Sequence, residues 1–287
     1  MHIAVLGNPG SWYVADLKRA GRERGHTVTR VDFRRLTARV AASPTITGDG
    51  LDLTAVDAVI VRTMPPGSLE QVVYRMDALA RLEAAGVTVL NSAKAVECAV
   101  DKYLTTTRLE RAGLPVPETI VCEDAESAIA AFEELGGDVV VKPIFGAEGR
   151  GILRVTDPDL AWRTFRTLDR IGAVLYLQRF IEHEGFDVRV MILDGRVLGA
   201  MRRINPHDFR TNVARQALTE AYGPTDAECE RSIAAAKVVG ARFAGVDLLT
   251  DRAGRQYVIE INAVPGWRRF AVTTGCDVAA HVLSALE

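Results

Sequence analysis

The stretch Val139–Ile152, VVVKPIFGAEGRGI, narrows the fold more than any other part of this 287-residue chain. Its β-branched run favours an extended strand, and Pro143 removes the amide that further pairing needs. Lys142 is thereby delivered to the strand's end, and Gly146, Gly149 and Gly151 follow within nine residues. Such a loop lets bare backbone N–H groups approach an anion, because no Cβ stands between. A lysine at its root supplies a mobile positive charge for the same anion. The ligand this combination suits is a polyphosphate. Lys142 is one of five lysines against thirty arginines.

The chain is long enough for a large core and two or three subdomains. Hydrophobic residues at 48% and charged ones at 25% are an ordinary globular balance. A formal net charge of −2 speaks against a generic nucleic-acid binder. Cys98, Cys122, Cys229 and Cys276 show neither CxxC nor Cys/His ligand spacing. They read as free thiols in a reducing cytoplasm. The N-terminal MHIAVLGNPG has no basic n-region, and no segment approaches membrane-spanning length. The expectation is a cytoplasmic protein with neither nucleic-acid nor membrane partners.

Strands at 3–7, 27–33, 57–62 and 87–90 alternate with helices at 12–24 and 69–85. That order predicts a parallel, doubly wound sheet over residues 1–93. Gly7–Asn8–Pro9–Gly10 lacks the full G-x-G-x-x-G of a dinucleotide fold. Asp101 can cap a helix to about Ala112, with Gly113 as its stop and Pro115 and Pro117 beyond. Strands near 119–121, at Lys142 and over 173–178, with helices at 125–135 and 160–168, make a small α+β unit over 94–177. From Phe186 the strands read as antiparallel, with DVRVMILDG and RVLGAMRR joined at Asp194–Gly195, a hairpin signal. A helix over Asp226–Ala241 then leads to GVDLLT and QYVIEIN, completing a third unit over 178–287.

In QYVIEIN, strict alternation puts Val258, Glu260 and Asn262 on one face. Asp247 sits in a second apolar strand that pairs alongside. Two carboxylates and an amide oxygen are hard ligands that suit Mg²⁺ shared with nucleotide phosphates. Asp187 and Arg189 share a face in FDVRV, Arg203 ends the partner strand, and DFRTN follows. Arginines there could neutralise a phosphate or clamp a carboxylate; a solvated surface charge is the alternative for any one of them. No lysine follows a glycine, so a Walker A loop is absent. HRD, DFG and Gly-x-Ser-x-Gly are missing too, and the five histidines have no metal or triad spacing.

The motifs NSAKAVECAVDK, AGLPVPET, VVVKPIFGAEGRG, YLQRFI, DVRV, DFRTNVAR, GVDLL, VIEINAVPGW and TGCDVA occur in this order along the chain. Their sequence resembles the ATP-grasp superfamily, and most closely the RimK-type α-L-glutamate ligases. The resemblance implies an ATP-grasp fold preceded by a parallel pre-ATP-grasp domain. It also implies an ADP-forming ligase that activates a carboxylate as an acylphosphate and joins it to the amine of L-glutamate. ATP and one or two Mg²⁺ ions would be the cofactors, with Mn²⁺ as a substitute, and the enzyme would be a homo-oligomer. Lys102 and Lys142 would contact the phosphates under a lid holding Gly146, Glu148, Gly149 and Gly151. Gln178, Arg179, Phe180 and Ile181 would surround adenine, although the family commonly has an acidic residue at the Arg179 position. Asp187 matches a ribose-side contact. Arg203, Arg210, Asn212 and Arg215 match positions near the phosphates and the acceptor carboxylate; Arg189 and Arg203, with Lys142, would serve catalysis. Asp247, Glu260 and Asn262 match the metal ligands.

RTMPPGSLEQVVYRMD and NAVPGW depart from the ribosomal-protein-modifying pattern and look closer to ligases of tetrahydromethanopterin-type cofactors. A small pterin acceptor is therefore the expectation. A protein C-terminus and a peptide remain alternatives. Arg62 and the Met64–Gly67 turn lie at the C-terminal end of a parallel strand, where such sheets bind ligands; a structural turn is the other reading.

Overall fold

The computed structural model describes residues 1–146, 149–211 and 217–287. It opens with β1 (His2–Leu6), α1 (Trp12–Glu23) and β2 (Thr27–Val31). A three-stranded antiparallel meander follows, β3 (Thr37–Arg39), β4 (Thr45–Gly48) and β5 (Leu51–Asp52). Then come β6 (Ala58–Val61), α2 (Leu69–Ala84) and β7 (Thr88–Leu90). The parallel sheet has the order β2-β1-β6-β7, so its topology reverses between β1 and β6. Ser68 and Gln71 form a capping box that starts α2. The meander was outside the sequence expectation. Its strands are two to four residues long, too short to show a period.

Two helices lead into the second layer, α3 (Ala93–Val100) and α4 (Lys102–Arg111). Asp101 ends the first and caps the second, its carboxylate accepting from Leu104 N at 2.9 Å. The next elements are β8 (Thr119–Cys122), α5 (Ala125–Glu134), β9 (Val139–Lys142), β10 (Leu153–Val155), α6 (Pro158–Arg170) and β11 (Leu175–Arg179). Their sheet runs β10-β9-β11-β8, all antiparallel, with α5 and α6 closing a separate core around Phe132 and Phe165.

The last layer holds β12 (Phe186–Leu193), β13 (Arg196–Ile204), β14 (Leu218–Tyr222), α7 (Asp226–Val239), β15 (Phe243–Thr250) and β16 (Gln256–Asn262). Two seven-residue helices end the chain, α8 (Arg268–Thr274) and α9 (Val278–Ser284). Asp194 and Gly195 both take positive φ, 48° and 71°, as a two-residue hairpin requires. The sheet order is β14-β13-β12-β15-β16. One face packs on α7 through Val188, Val190, Val246, Leu248, Val258 and Ile261. The other face is divided along its strands. Met191, Leu193, Met201 and Phe243 join the core of β1, α1, β6 and α9. On the same strands, two to four residues away, Asp187, Arg189, Arg203 and Asp247 take their place. This change from apolar to charged side chains, at constant strand parity, sets where the first layer stops and a cleft begins.

Candidate active site

An open cleft, with about 850 Å³ of space that includes solvent at its mouth, lies between the four-stranded and five-stranded antiparallel sheets. Val140 and Lys142 line it from β9, Gln178 and Arg179 from β11, Asp187 from β12, Arg203 from β13, Asp247 and Leu249 from β15, and Ile259 and Glu260 from β16.

Lys142 and Lys102 form one side. Lys142 Nζ donates to Gln178 Oε1 at 2.6 Å. Gln178 is itself fixed, its Nε2 donating to Thr119 Oγ1 at 3.0 Å and to the Tyr176 hydroxyl at 3.2 Å. Lys102 Nζ donates to the Gly146 carbonyl at 2.9 Å. Among the described residues no carboxylate bonds to either ammonium. Burial consequently pushes the Lys142 ammonium down to about 8, against the pull of Glu260. Lys102 is lowered for the same reason, again opposed by Glu260. Two underpaired cations in one cleft attract an anion carrying several charges.

The opposite side is built from paired ions. Arg203 grips Asp187 with Nε and Nη2 and reaches Asp247 Oδ2 at 2.7 Å. Arg189 grips both oxygens of Asp247 at 2.7 Å. Thr211 Oγ1 donates to Asp187. Asp187, Arg203 and Asp247 are each at most 2% exposed. Although burial alone would raise it, Arg189 and Arg203 hold the Asp247 carboxyl below the usual range. Burial pushes Asp187 upward, opposed by Arg203. The register makes this possible, because Asp187 faces Arg203 across β12–β13 and Arg189 faces Asp247 across β12–β15.

Strict alternation fails in β16. Asp247 pairs with Glu260 but Leu248 pairs with Val258, so Ile259 is an extra residue in a β-bulge. Val258 and Ile261 both enter the α7 core, whereas Ile259 and Glu260 line the cleft. Val258 therefore does not share the face of Glu260, contrary to the simple two-residue period. Beyond the backbone pairing of its strand, the Glu260 carboxylate makes no hydrogen bond or ion pair among the described residues. Asn262 pairs with Gly245, and its Oδ1 accepts from Val264 N at 2.8 Å, leaving one lone pair. No group of three His, Cys, Asp or Glu residues suited to a metal exists among the described residues. The donors that fit a divalent cation are Glu260 and the Asn262 amide oxygen. Asp247 stands beside them on β15, with both oxygens taken by arginines. A set this sparse suits an ion whose remaining ligands come from phosphates and water.

Of the residues expected at the site, Lys102, Lys142, Gly146, Gly149, Gln178, Arg179, Phe180, Ile181, Asp187, Arg203, Arg210, Asp247 and Glu260 all line this one cleft. Arg189 stands behind Asp247, Asn262 lies past Glu260 at the end of β16, and Gly151 sits at the outer end of the glycine loop with φ +72°. Glu148, Asn212 and Arg215 lie outside the described residues. Arg210 spans the cleft, pairing with Asp208 at 2.7 Å and donating to the Ile152 carbonyl at 3.2 Å. Sequence reasoning missed His183, Phe209 and Thr211. Phe180 packs against His183 and Phe209, each ring 6.0 Å away, and the Arg154 guanidinium lies 3.5 Å from its centroid. The available signal was proximity to YLQRFI and DFRTN.

The RimK-like ATP-grasp domain family matches residues 99–286, and the RimK PreATP-grasp domain family matches residues 1–96. The tetrahydromethanopterin:alpha-L-glutamate ligase of Methanosarcina acetivorans is 30% identical over 316 aligned residues, covering 99% of this chain and 97% of the relative. A probable alpha-L-glutamate ligase of Hahella chejuensis is 31% identical, covering 100% of this chain and 95% of the relative. Among solved structures, the ATP-grasp ligase PsnB, complexed with a phosphomimetic variant of its minimal precursor, Mg and ADP, superposes with a TM-score of 0.78. It is 27% identical, covering 99% of this chain and 97% of that one.

Proposed function

The chain belongs to the RimK-like ATP-grasp family, and from that premise we propose that it is an ATP-dependent, ADP-forming ligase joining L-glutamate to an acceptor carboxylate, the acceptor being a tetrahydromethanopterin-type pterin. The observation that carries this reading is the pair of lysines, Lys102 and Lys142, underpaired and facing an unpaired Glu260 in one cleft. That arrangement is complete only with a polyphosphate and a divalent cation. The 30% identical relative supports the pterin.

In this reading an acceptor carboxylate oxygen attacks the γ-phosphorus of ATP and ADP leaves, giving an acylphosphate. The amine of glutamate then attacks the acyl carbon, phosphate leaves and the amine gives up a proton. Lys102 and Lys142 hold phosphate oxygens, and Gly146–Gly151 with Glu148 cover them against water. Gln178 to Ile181 face the base, with Phe180 as its apolar wall. Arg203, oriented by Asp187, and Arg189, Arg210 and Asn212 steady the charge passing between the three anionic groups. Mg²⁺, held by Glu260 and Asn262 beside Asp247, would supply further charge neutralisation. The divisions at residues 93 and 177, the cytoplasmic setting and the homo-oligomeric state belong to the same proposal.

A peptide acceptor is the second reading, favoured by the PsnB complex with its precursor; a protein C-terminus would be treated alike. The test is a screen of pterin, peptide and protein acceptors with Mg·ATP and L-glutamate, read by product mass. ADP should form only when acceptor and amine are both present. ADP formation indifferent to both, or AMP formation, sinks the ligase. Glu260→Gln should abolish turnover while the thermal transition persists; near-wild-type turnover removes Glu260 from the site.

A further inference from the structure

Arg62 follows β6, beside Gly7 at the end of β1. These two strands flank the position where the parallel sheet reverses its winding, and the crevice outside their C-terminal ends is where such sheets take ligands. Arg62 is only 6% exposed, yet no carboxylate among the described residues is paired with it. Its guanidinium lies 4.7 Å from the Tyr13 ring centroid and 4.3 Å from that of Trp267. Nη2 donates to the Pro265 carbonyl at 2.9 Å. Nε is buried with no partner, and Nη1 has none among the described residues.

The arginines of the cleft wall, by contrast, are matched, Arg203 and Arg189 having Asp187 and Asp247. Two aromatic faces offset part of the desolvation of Arg62, but they leave its donors unused. Burial pushes it down to about 10 with only Tyr13 opposing. A buried cation without a counter-ion is costly, and an anionic ligand would remove that cost. Pro265 stands three residues after Asn262, so Arg62 touches the loop that leaves the reacting corner. Gly266 approaches Tyr13 so closely that a Cβ would lie 2.7 Å from its hydroxyl. The loop is thus pressed onto the Arg62 sandwich.

We propose that Arg62 anchors a carboxylate of one of the two joined substrates, a group remote from the bond being made, at the crevice between β1 and β6. This rests on the ligase reading above. The Pro265 carbonyl takes one of the two Nη2 hydrogens, and the other lies parallel to a donor of Nη1 or Nε on the edge left open, the paired geometry a carboxylate accepts. The carboxylate could belong to the acceptor or to the incoming glutamate. The chemistry is shared, and the two sources separate by experiment.

With Mg·ADP bound, intrinsic tryptophan fluorescence, to which Trp267 beside Arg62 contributes, is titrated with L-glutamate and separately with folate, a pterin bearing carboxylates. The wild type should give a saturable change with at least one of them. Arg62→Met should weaken that binding tenfold or more, and Arg62→Lys should restore part of it. Loss of the glutamate response alone assigns the amino-acid carboxylate to Arg62; loss of the folate response alone assigns the acceptor. Equal titration of wild type and Arg62→Met overturns the proposal, as does a wild type that answers neither titrant. If Arg62→Met weakens Mg·ADP to the same degree, Arg62 is a structural clamp and the proposal also falls. Failure of wild type to bind Mg·ADP would instead remove the ligase reading, and this inference with it.

Discussion

The two sides of the cleft treat positive charge in opposite ways. On the lysine side, among the described residues, Lys142 and Lys102 meet only an amide oxygen and a carbonyl. On the arginine side, Arg189 and Arg203 meet two buried carboxylates. The first side is left unsatisfied and gains its counter-charge when a ligand arrives. The second is neutral before any ligand enters and acts as a rigid wall. A site that must grip a polyphosphate yet hold its geometry needs both. The difference lies in burial and partners more than in the number of cations.

That contrast predicts opposite costs for removing a cation. Arg203→Met leaves Asp187 without its bidentate partner and Asp247 with one guanidinium fewer. Breaking such a buried network should destabilise the protein by about 3–5 kcal/mol, measured by urea unfolding. Lys142→Met should leave unfolding stability unchanged or slightly higher, because it removes a desolvated charge. Mg·ATP affinity in calorimetry should fall about a hundredfold, or about 3 kcal/mol. If Lys142→Met were the more destabilising of the two, the division of the cleft would be wrong.

The lysine side should also declare itself through pH. Lys142 titrates near 8 in the unliganded protein, below the ordinary lysine value of 10.5. The unfolded chain therefore holds the extra proton between these values. From this group alone, the stability of the unliganded protein should rise as pH climbs from about 8 towards 10.5. Ligand affinity should move the other way. Phosphate oxygens favour the charged lysine, so Mg·ADP binding should be flat below about 8 and weaken up to tenfold per pH unit above it. Calorimetry at pH 8.5 in two buffers of different ionisation enthalpy should register proton uptake on binding. Proton release would contradict the sign.

Much of the fold was legible because its signals are local. The Asp194–Gly195 hairpin, the β-branched strands and the capped helices each depend on a few neighbouring residues. What escaped depends on partners far along the chain, or on elements too short to carry a pattern. The meander at 37–52 and the two terminal helices belong to the second kind. The bulge at Ile259 belongs to the first, since nothing in QYVIEIN marks an extra residue until β15 fixes the register. Asp187 and Asp247 were legible as polar interruptions of apolar strands. Their capture by Arg203 and Arg189 was not, because it follows from the strand order β13-β12-β15. Arg62 was legible by its place at a strand end, whereas its stacking on Trp267 joins residues more than two hundred positions apart.

The smallest effect should come from an arginine whose bonds look as good as those of the buried wall. Arg154 grips Asp138 at 2.8 and 2.6 Å, distances close to the 2.7 Å of Arg189 with Asp247. The side chains of Arg154 and Asp138 are 38% and 37% exposed, against 12% and 1% for the other pair. Water competes for the exposed pair, which leaves it worth at most about 1 kcal/mol. Stacking on Phe180 at 3.5 Å adds about 0.5–1 kcal/mol. Arg154→Ala should therefore cost about 1 kcal/mol in urea unfolding, several times less than Arg203→Met. Because Phe180 lines the cleft, the same change should raise the KM for ATP two- to threefold through its loosened ring. High salt should erase the Asp138 share and spare the stacking share. A cost as large as that of Arg203→Met would mean that bond geometry, rather than burial, sets the strength of these pairs.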